Sequence, residues 1–323
     1  MDNNLHIVYA TDSRYLFATQ VAAGSAIAWA SRPRNLVIDI LDCGVGDNEW
    51  QAFAATLHGL GGDCFSLVRH RIDMSAYDDM AEWHTSKGIY ARLEIPQILR
   101  EVAWCVYADG DTLFTDDPFK LETIWDPRYA IMGHLDDAQE NRKIWYTNYG
   151  LPWDKAHHIC AGFILLNLDW FRNNSGTAKC FDIIKQYRPP YNDQDALNLV
   201  CYGRIGLLPD EWGVFTYLAD ANTRPGCFHY AANRPWELSK TSRIPMNSMQ
   251  RIWFMAMTRM FGKSPWRCNK PYYIYVWQCL KTKMWISLYM LANKLPLIKG
   301  RYDSLYKDFW PRKKEMEFVP VVG

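Results

Sequence analysis

The chain has 323 residues, 49% of them apolar and 22% charged, which allows a sizeable buried core and excludes a disordered polymer. Its formal charge of +1 joins two unlike parts: 16 Lys/Arg against 4 Asp/Glu from Lys240 onward, and 20 against 31 before it, giving +12 and −11. Nine cysteines, an odd number without metal-type spacing, argue against a disulfide scaffold or a zinc site and for reduced thiols in cytoplasm.

In chain order, Leu5–Ala10 reads as a strand, Arg14–Ala30 as an apolar-rich helix and Leu36–Leu41 as a second strand. A helix over Asn48–Leu60, a strand over Cys64–Val68, a helix over Gly88–Val102 and a short buried strand over Trp104–Ala108 follow. Ala130–Gly133 and Ala161–Leu168 complete the strands, the second too uniformly apolar for a solvent-facing edge, with helices over Asp169–Tyr187 and Asp193–Tyr202 after them. The alternation predicts an α/β fold with a central sheet flanked by helices. In such sheets the ligand crevice lies beyond the carboxyl ends of the strands, where Asp12, Asp109 and Asp111 fall. From about Lys240 the pattern changes to Trp, Tyr, Met and Lys/Arg in close mixture, as in RIWFMAMTRMF and KPYYIYVWQCLKTKMWISLYML. A boundary there predicts a domain over 1–239 and a helical, basic and aromatic extension over 240–323.

Three segments carry chemistry. In Tyr107-Ala108-Asp109-Gly110-Asp111, two carboxylates two residues apart follow a buried strand, hard oxygen ligands suited to Mg²⁺ or Mn²⁺ that also engages substrate phosphates. An Asx turn without metal is the bland alternative. In Tyr191-Asn192-Asp193-Gln194-Asp195, helix capping explains part of the composition but not so many carboxylates and amides. Asp193 and Gln194 could bind sugar hydroxyls, and Asp195 could stabilise positive charge at a reacting carbon. In His229-Tyr230-Ala231-Ala232-Asn233-Arg234, an imidazole could add a nitrogen ligand and a guanidinium could clamp a diphosphate. By itself, His229 is better explained as an ordinary structural histidine than as a ligand.

In this order, with IVYATDSRY near the start, YARLEIPQIL before the paired carboxylates and AGFILLNLDWF after them, these segments resemble glycosyltransferase family 8. The likeness is greatest to its bacterial lipopolysaccharide and lipooligosaccharide galactosyl- and glucosyltransferases. The resemblance spans about residues 5–240. It implies a GT-A fold, a Mn²⁺-dependent UDP-hexose donor site, a saccharide acceptor and retention of anomeric configuration. By the same resemblance Ala10, Asp12 and Tyr15 would hold the uracil and ribose, and Arg92 would reach the diphosphate or sugar. Asp109 and Asp111, flanking Gly110, would bind the metal with His229. Asp193 and Gln194 would hold the transferred hexose above a floor of Ala161 and Gly162, and Arg234 would hold the diphosphate.

Four positions depart from the family pattern: Cys160 stands for the usual Asn, Arg234 for Lys, Arg14 for Asn, and the His segment lacks its glycine. The identity of the hexose, glucose or galactose, is therefore left open. A nucleotidyltransferase would need a Gly-rich phosphate loop where TDSRYL stands. A non-catalytic saccharide-binding domain would have no need of intact Asp109, Asp111, Gln194 and His229. The tail suits either packing on the catalytic domain or contact with the anionic inner face of a membrane, through interfacial Trp/Tyr and Lys/Arg. Nucleic acid is not expected as a partner. Without signal-peptide regions at the start, a cytoplasmic enzyme, peripherally attached, is expected.

Overall fold

The first strand, β1 (Leu5–Thr11), is buried along nearly its whole length, as its run of apolar side chains requires of a strand covered on both faces. It lies in a computed structural model that describes residues 4–82, 86–137, 139–153, 157–219, 225–231, 234–237 and 248–262, with 277, 280, 281, 284 and 288. After β1 come α1 (Leu16–Trp29), β2 (Leu36–Asp42), α2 (Asp47–Gly61) and β3 (Ser66–Arg71), then α3 (Ile95–Ile98), β4 (Trp104–Ala108), β5 (Thr112–Phe114) and α4 (Leu121–Ile124). The second half runs β6 (Ile131–Leu135), α5 (Gln139–Asn148), β7 (Ile159–Asn167), α6 (Leu168–Asn173), α7 (Gly176–Tyr187), α8 (Asn192–Val200), β8 (Ile205–Leu207), β9 (Trp212–Phe215), β10 (Cys227–His229) and α9 (Ser248–Phe261).

Seven strands form one sheet in the order β3-β2-β1-β4-β7-β6-β8. Neighbours pair in parallel except β7, which runs against both β4 and β6. That reversal places the start of β7 at the same edge as the ends of β4 and β6: Ala108 faces Phe163, and Leu135 faces Ile159. A small second sheet, β5-β10-β9, sets His229 opposite Thr112 and Phe215. The core clusters Val8, Tyr90, Leu93, Tyr107, Ile164 and Phe171, all buried, each worth about 1.5–3 kcal/mol in apolar burial.

Two expected helices are broken. Gly88–Val102 is a 3₁₀ turn over Gly88–Glu94 followed by the short α3; Pro96 has no N–H to continue a ladder and sits in α3's first turn. The run Asp169–Tyr187 divides at Ser175, whose φ of 54° is left-handed, leaving α6 and α7. The segment between the expected strands Ala130–Gly133 and Ala161–Leu168, for which the sequence pattern gave no element, contains α5. All cysteines among the described residues are free.

The chain divides into two compact units, Met1–His229 and Tyr230–Gly323. In the second, α9 buries Ile252, Trp253, Phe254, Ala256, Met257 and Met260, with Trp253 packed on Trp236 at 5.1 Å between ring centroids. The rest of the expected extension, 240–247 and 263–323, lies outside the described residues but for five positions. No helix among the described residues is long and apolar enough to cross a membrane.

Candidate metal and donor site

The turn between β4 and β5 carries Asp109 and Asp111, and β10 brings His229 beside them. One ligand atom from each lies within 4.8 Å of the others. Two carboxylates and an imidazole form a mixed hard-oxygen and nitrogen set that fits Mn²⁺ or Mg²⁺. The turn is pinned from below: the Asp109 N–H donates to the Gly162 carbonyl at 2.7 Å, and the Asp109 carbonyl accepts from the Thr112 N–H and hydroxyl. Two glycines are required by close approach. A Cβ on Gly110 would come within 2.5 Å of the Thr19 hydroxyl on α1, and one on Gly162 would lie 2.3 Å from His229 Cε1 and 2.7 Å from Asp109 Oδ2. The floor expected at Gly162 is therefore the floor of the ligand cluster itself.

Arg92, buried beneath the cluster, joins its parts. Its guanidinium donates to Asp109 Oδ1 at 3.0 Å and to the Ala161 carbonyl at 2.7 Å, pairs with Asp193 Oδ2 at 2.9 Å and lies 4.5 Å from the Tyr107 ring centroid. The Tyr107 hydroxyl also donates to Asp109 Oδ1. Burial pushes the Asp193 carboxyl up to about 6; Arg92 opposes the shift and Asp109 adds to it. For His229, burial disfavours the charged ring, but the adjacent Cys160 and Asp111 prevail and hold its pKa well above the ordinary histidine value. His229 Nε2 stands 3.3 Å from Asp111 Oδ1.

The first residues of α8 divide between two groups. Asp193 belongs with Arg92. Gln194 spans to the next strands: its Oε1 accepts from the Ala161 N–H at 3.1 Å and its Nε2 donates to Asp136 Oδ2 at 2.5 Å. Asp195, only 1% exposed, turns away. Its Oδ2 accepts from the Tyr191 N–H, and its Oδ1 faces His158 Nε2 at 3.3 Å and Arg142 at 3.9 Å. Arg142 also donates to Asp136 at 3.2 Å and stacks over the Tyr191 ring. The side-chain bond at the start of α8, part of the capping that the composition suggested, is thus supplied by Asp195.

Of the residues expected to act together, Arg92, Asp109, Gly110, Asp111, Ala161, Gly162, Asp193, Gln194 and His229 converge. Asp12, just past β1, is engaged locally: its carboxylate accepts from the Arg14 and Tyr15 N–H groups and pairs with the Arg14 side chain, while the Ser86 hydroxyl donates to it. Ala10 pairs with Leu41 on β2, and Tyr15 precedes α1. Arg234 falls in the second unit. The sequence reading missed Asp136, Arg142 and His158 as site-forming residues. Asp136 directly follows β6, so the rule that selected Asp109 would have selected it too.

The profile of Glycosyl transferase family 8 matches residues 6–237. General stress protein A of Bacillus subtilis (strain 168) is 23% identical over 226 residues, 67% of this chain and 76% of that protein. Among solved structures, the galactosyltransferase LgtC in complex with donor and acceptor sugar analogues is 23% identical with a TM-score of 0.62, over 72% of this chain and 89% of that one. The bifunctional glycosyltransferase WbbM is 21% identical with a TM-score of 0.65, over 86% of this chain and 52% of that one. These structural likenesses bear on the fold, which is the mixed α/β GT-A arrangement.

Proposed function

The chain belongs to glycosyl transferase family 8 and is a glycosyltransferase, and from that premise we propose that it is a retaining enzyme moving glucose or galactose from a UDP-hexose to a saccharide acceptor. The observation that carries this reading is the convergence of Asp109, Asp111 and His229 over Gly162, beside Arg92 and the engaged amide of Gln194. Those three side chains would hold Mn²⁺ or Mg²⁺, which when bound supplies Lewis-acid neutralisation of charge on the departing diphosphate. Arg92 fixes the carboxylates of Asp109 and Asp193 relative to one another. Asp193 accepts hydrogen bonds from the hexose hydroxyls, and Gln194, already tethered at both ends of its amide, presents its remaining N–H and lone pair to the sugar. Ala10, Asp12 and Tyr15 take the nucleoside, Gly110 lets the turn approach it, and Arg234 supports the diphosphate.

Retention by double displacement needs a carboxylate free to attack the anomeric carbon. Asp195, the nearby carboxylate read as able to stabilise charge at the reacting carbon, is almost fully buried, with one oxygen bonded to the Tyr191 N–H and the other beside His158 and Arg142. This supports a front-face route, in which the bond from the anomeric carbon to the leaving phosphate oxygen breaks, the acceptor oxygen bonds on the same face, and that phosphate oxygen takes the acceptor proton.

In this reading residues 1–239 are the catalytic domain and 240–323 a basic, aromatic extension that meets anionic lipid on the cytoplasmic face of a bacterial membrane. The acceptor is then lipid-linked, of the lipopolysaccharide or lipooligosaccharide kind or another glycoconjugate. The charge of the extension, 16 basic against 4 acidic residues, supports it. The full-length protein should sediment with anionic vesicles at low salt and release at high salt; failure to sediment removes the membrane from the proposal.

The donor assignment is tested by calorimetric titration of UDP-glucose and UDP-galactose into metal-stripped protein, with and without Mn²⁺, repeated with Asp111→Ala. Binding of one donor that requires the metal and is lost in the variant is the expected result. Binding indifferent to both metal and substitution would overturn it.

A further inference from the structure

His229 is contacted differently along each side of its ring. The Nε2 edge faces the carboxylates, at 3.3 Å from Asp111 Oδ1, and both Nε2 and Cε1 stand above Gly162. One ring face stacks on Phe215, with 5.4 Å between centroids and 29° between planes. The Nδ1 edge points to the sulfur of Cys160 at 3.8 Å. A neutral imidazole carries one N–H. For Nε2 to offer its lone pair to a cation, the proton must sit on Nδ1, and in a buried ring that N–H needs an acceptor. The opposite arrangement, with the Cys160 S–H turned toward a bare Nδ1, puts the ring proton on Nε2 and closes the ligand position.

We propose that Cys160 is a positioning residue for His229: its sulfur accepts a hydrogen bond from the Nδ1–H and so commits the Nε2 lone pair to the divalent cation, an inference that rests on the metal-dependent reading above. Sulfur is a weak acceptor, so a hydroxyl at this position should serve as well, and a methyl group should not. The β7 register explains why residue 160 has this part. Ile159 pairs with Leu135, Gly162 gives its carbonyl to Asp109, and the side chain between them reaches the far edge of the imidazole.

The test measures Mn²⁺ affinity without donor, by calorimetry, for the wild type, Cys160→Ala, Cys160→Ser and Asp111→Ala. Loss of an outer partner to a metal-bound histidine costs about 10–100-fold in affinity, so Cys160→Ala should bind at least about tenfold more weakly and Cys160→Ser should recover most of that. Unchanged affinity in Cys160→Ala, with binding lost in Asp111→Ala, overturns the role of Cys160 alone. Unchanged affinity in Asp111→Ala overturns the metal site and this inference with it. A second measurement needs no variant: ring ¹⁵N shifts of His229 in Mg²⁺-loaded wild type should show the proton on Nδ1. A proton on Nε2 would overturn the proposal.

Discussion

Two groups of carboxylates meet at one edge of the sheet, and they differ in how their charge is answered. Asp109 and Asp193 share a single guanidinium, that of Arg92, and Asp111 beside them faces His229. Asp136 and Asp195 share Arg142, with His158 against Asp195 and a backbone N–H on its other oxygen. The first group retains negative charge that a cation can neutralise. In the second, Asp195 is almost fully buried, one oxygen bonded to a backbone N–H and the other beside His158 and Arg142, and adding a reacting centre would mean dismantling that arrangement. Two residues apart on one helix, Asp193 and Asp195 therefore have different prospects: nearness to the crevice does not make a carboxylate available, whereas incomplete compensation does.

The largest expected effect breaks the first group by filling its floor. In Gly162→Ala the new Cβ would overlap His229 and Asp109, and neither can retreat, since the ring is stacked on Phe215 and Asp109 is tied to Arg92 and Tyr107. Mn²⁺ affinity and transfer rate should fall by about 100-fold or more, the upper range for disturbing a metal site's support, with the far-ultraviolet dichroism of the wild type. Retention of wild-type affinity would mean that the cation binds elsewhere.

The second group is tested through stability. Asp195→Asn keeps the shape but strips the charge from a pocket that holds Arg142 and His158, and breaking a buried pair by removing one partner costs about 3–5 kcal/mol. Thermal and urea melts should register a loss of that order, while transfer stays detectable below the melting temperature. A hexose adduct trapped on Asp195 in the wild type, found by mass spectrometry, would instead make it the nucleophile and end the front-face reading.

The two groups also differ in how far the sequence disclosed them. Buried strands such as β1, β2 and β4 were legible because both faces are covered and the run is continuously apolar. Asp109 and Asp111 were legible by their place after β4, and His229 only through the order of motifs, because the three-residue strands β5 and β10 that deliver it are too short for any period to register. Asp136 and Arg142 were hidden for another reason. Their segment is polar, with no apolar stripe to mark α5 as packed, and what fixes it is a hydrogen bond from Gln194 to Asp136 and an ion pair of Arg142 with Asp195, both more than 50 positions away. Cys160 stood out as a departure from the family pattern, yet its contact with His229 follows from the reversed direction of β7, which no local pattern announces.

The smallest effect separates the groups by pH. In the metal-free protein His229 has a pKa raised above its ordinary value, near 6.5 when unfolded. The protonated ring therefore stabilises the metal-free fold fully below that value, and the contribution is lost as pH rises through the higher folded value. A cation needs the bare nitrogen, so proton and metal compete. Mn²⁺ affinity should climb by about tenfold per pH unit up to the folded pKa of His229 and level off above it. Titrations between about pH 6 and pH 8 would show the climb within the window opened by the raised histidine value, and in His229→Gln the slope should flatten along with an overall loss of affinity. If the slope survived that substitution, the titrating group would have to be a carboxyl, and Asp193, pushed up to about 6, would be the one to replace with Asn next. Arg142→Gln should leave the slope as it is in the wild type, since the charge it removes belongs to the closed group.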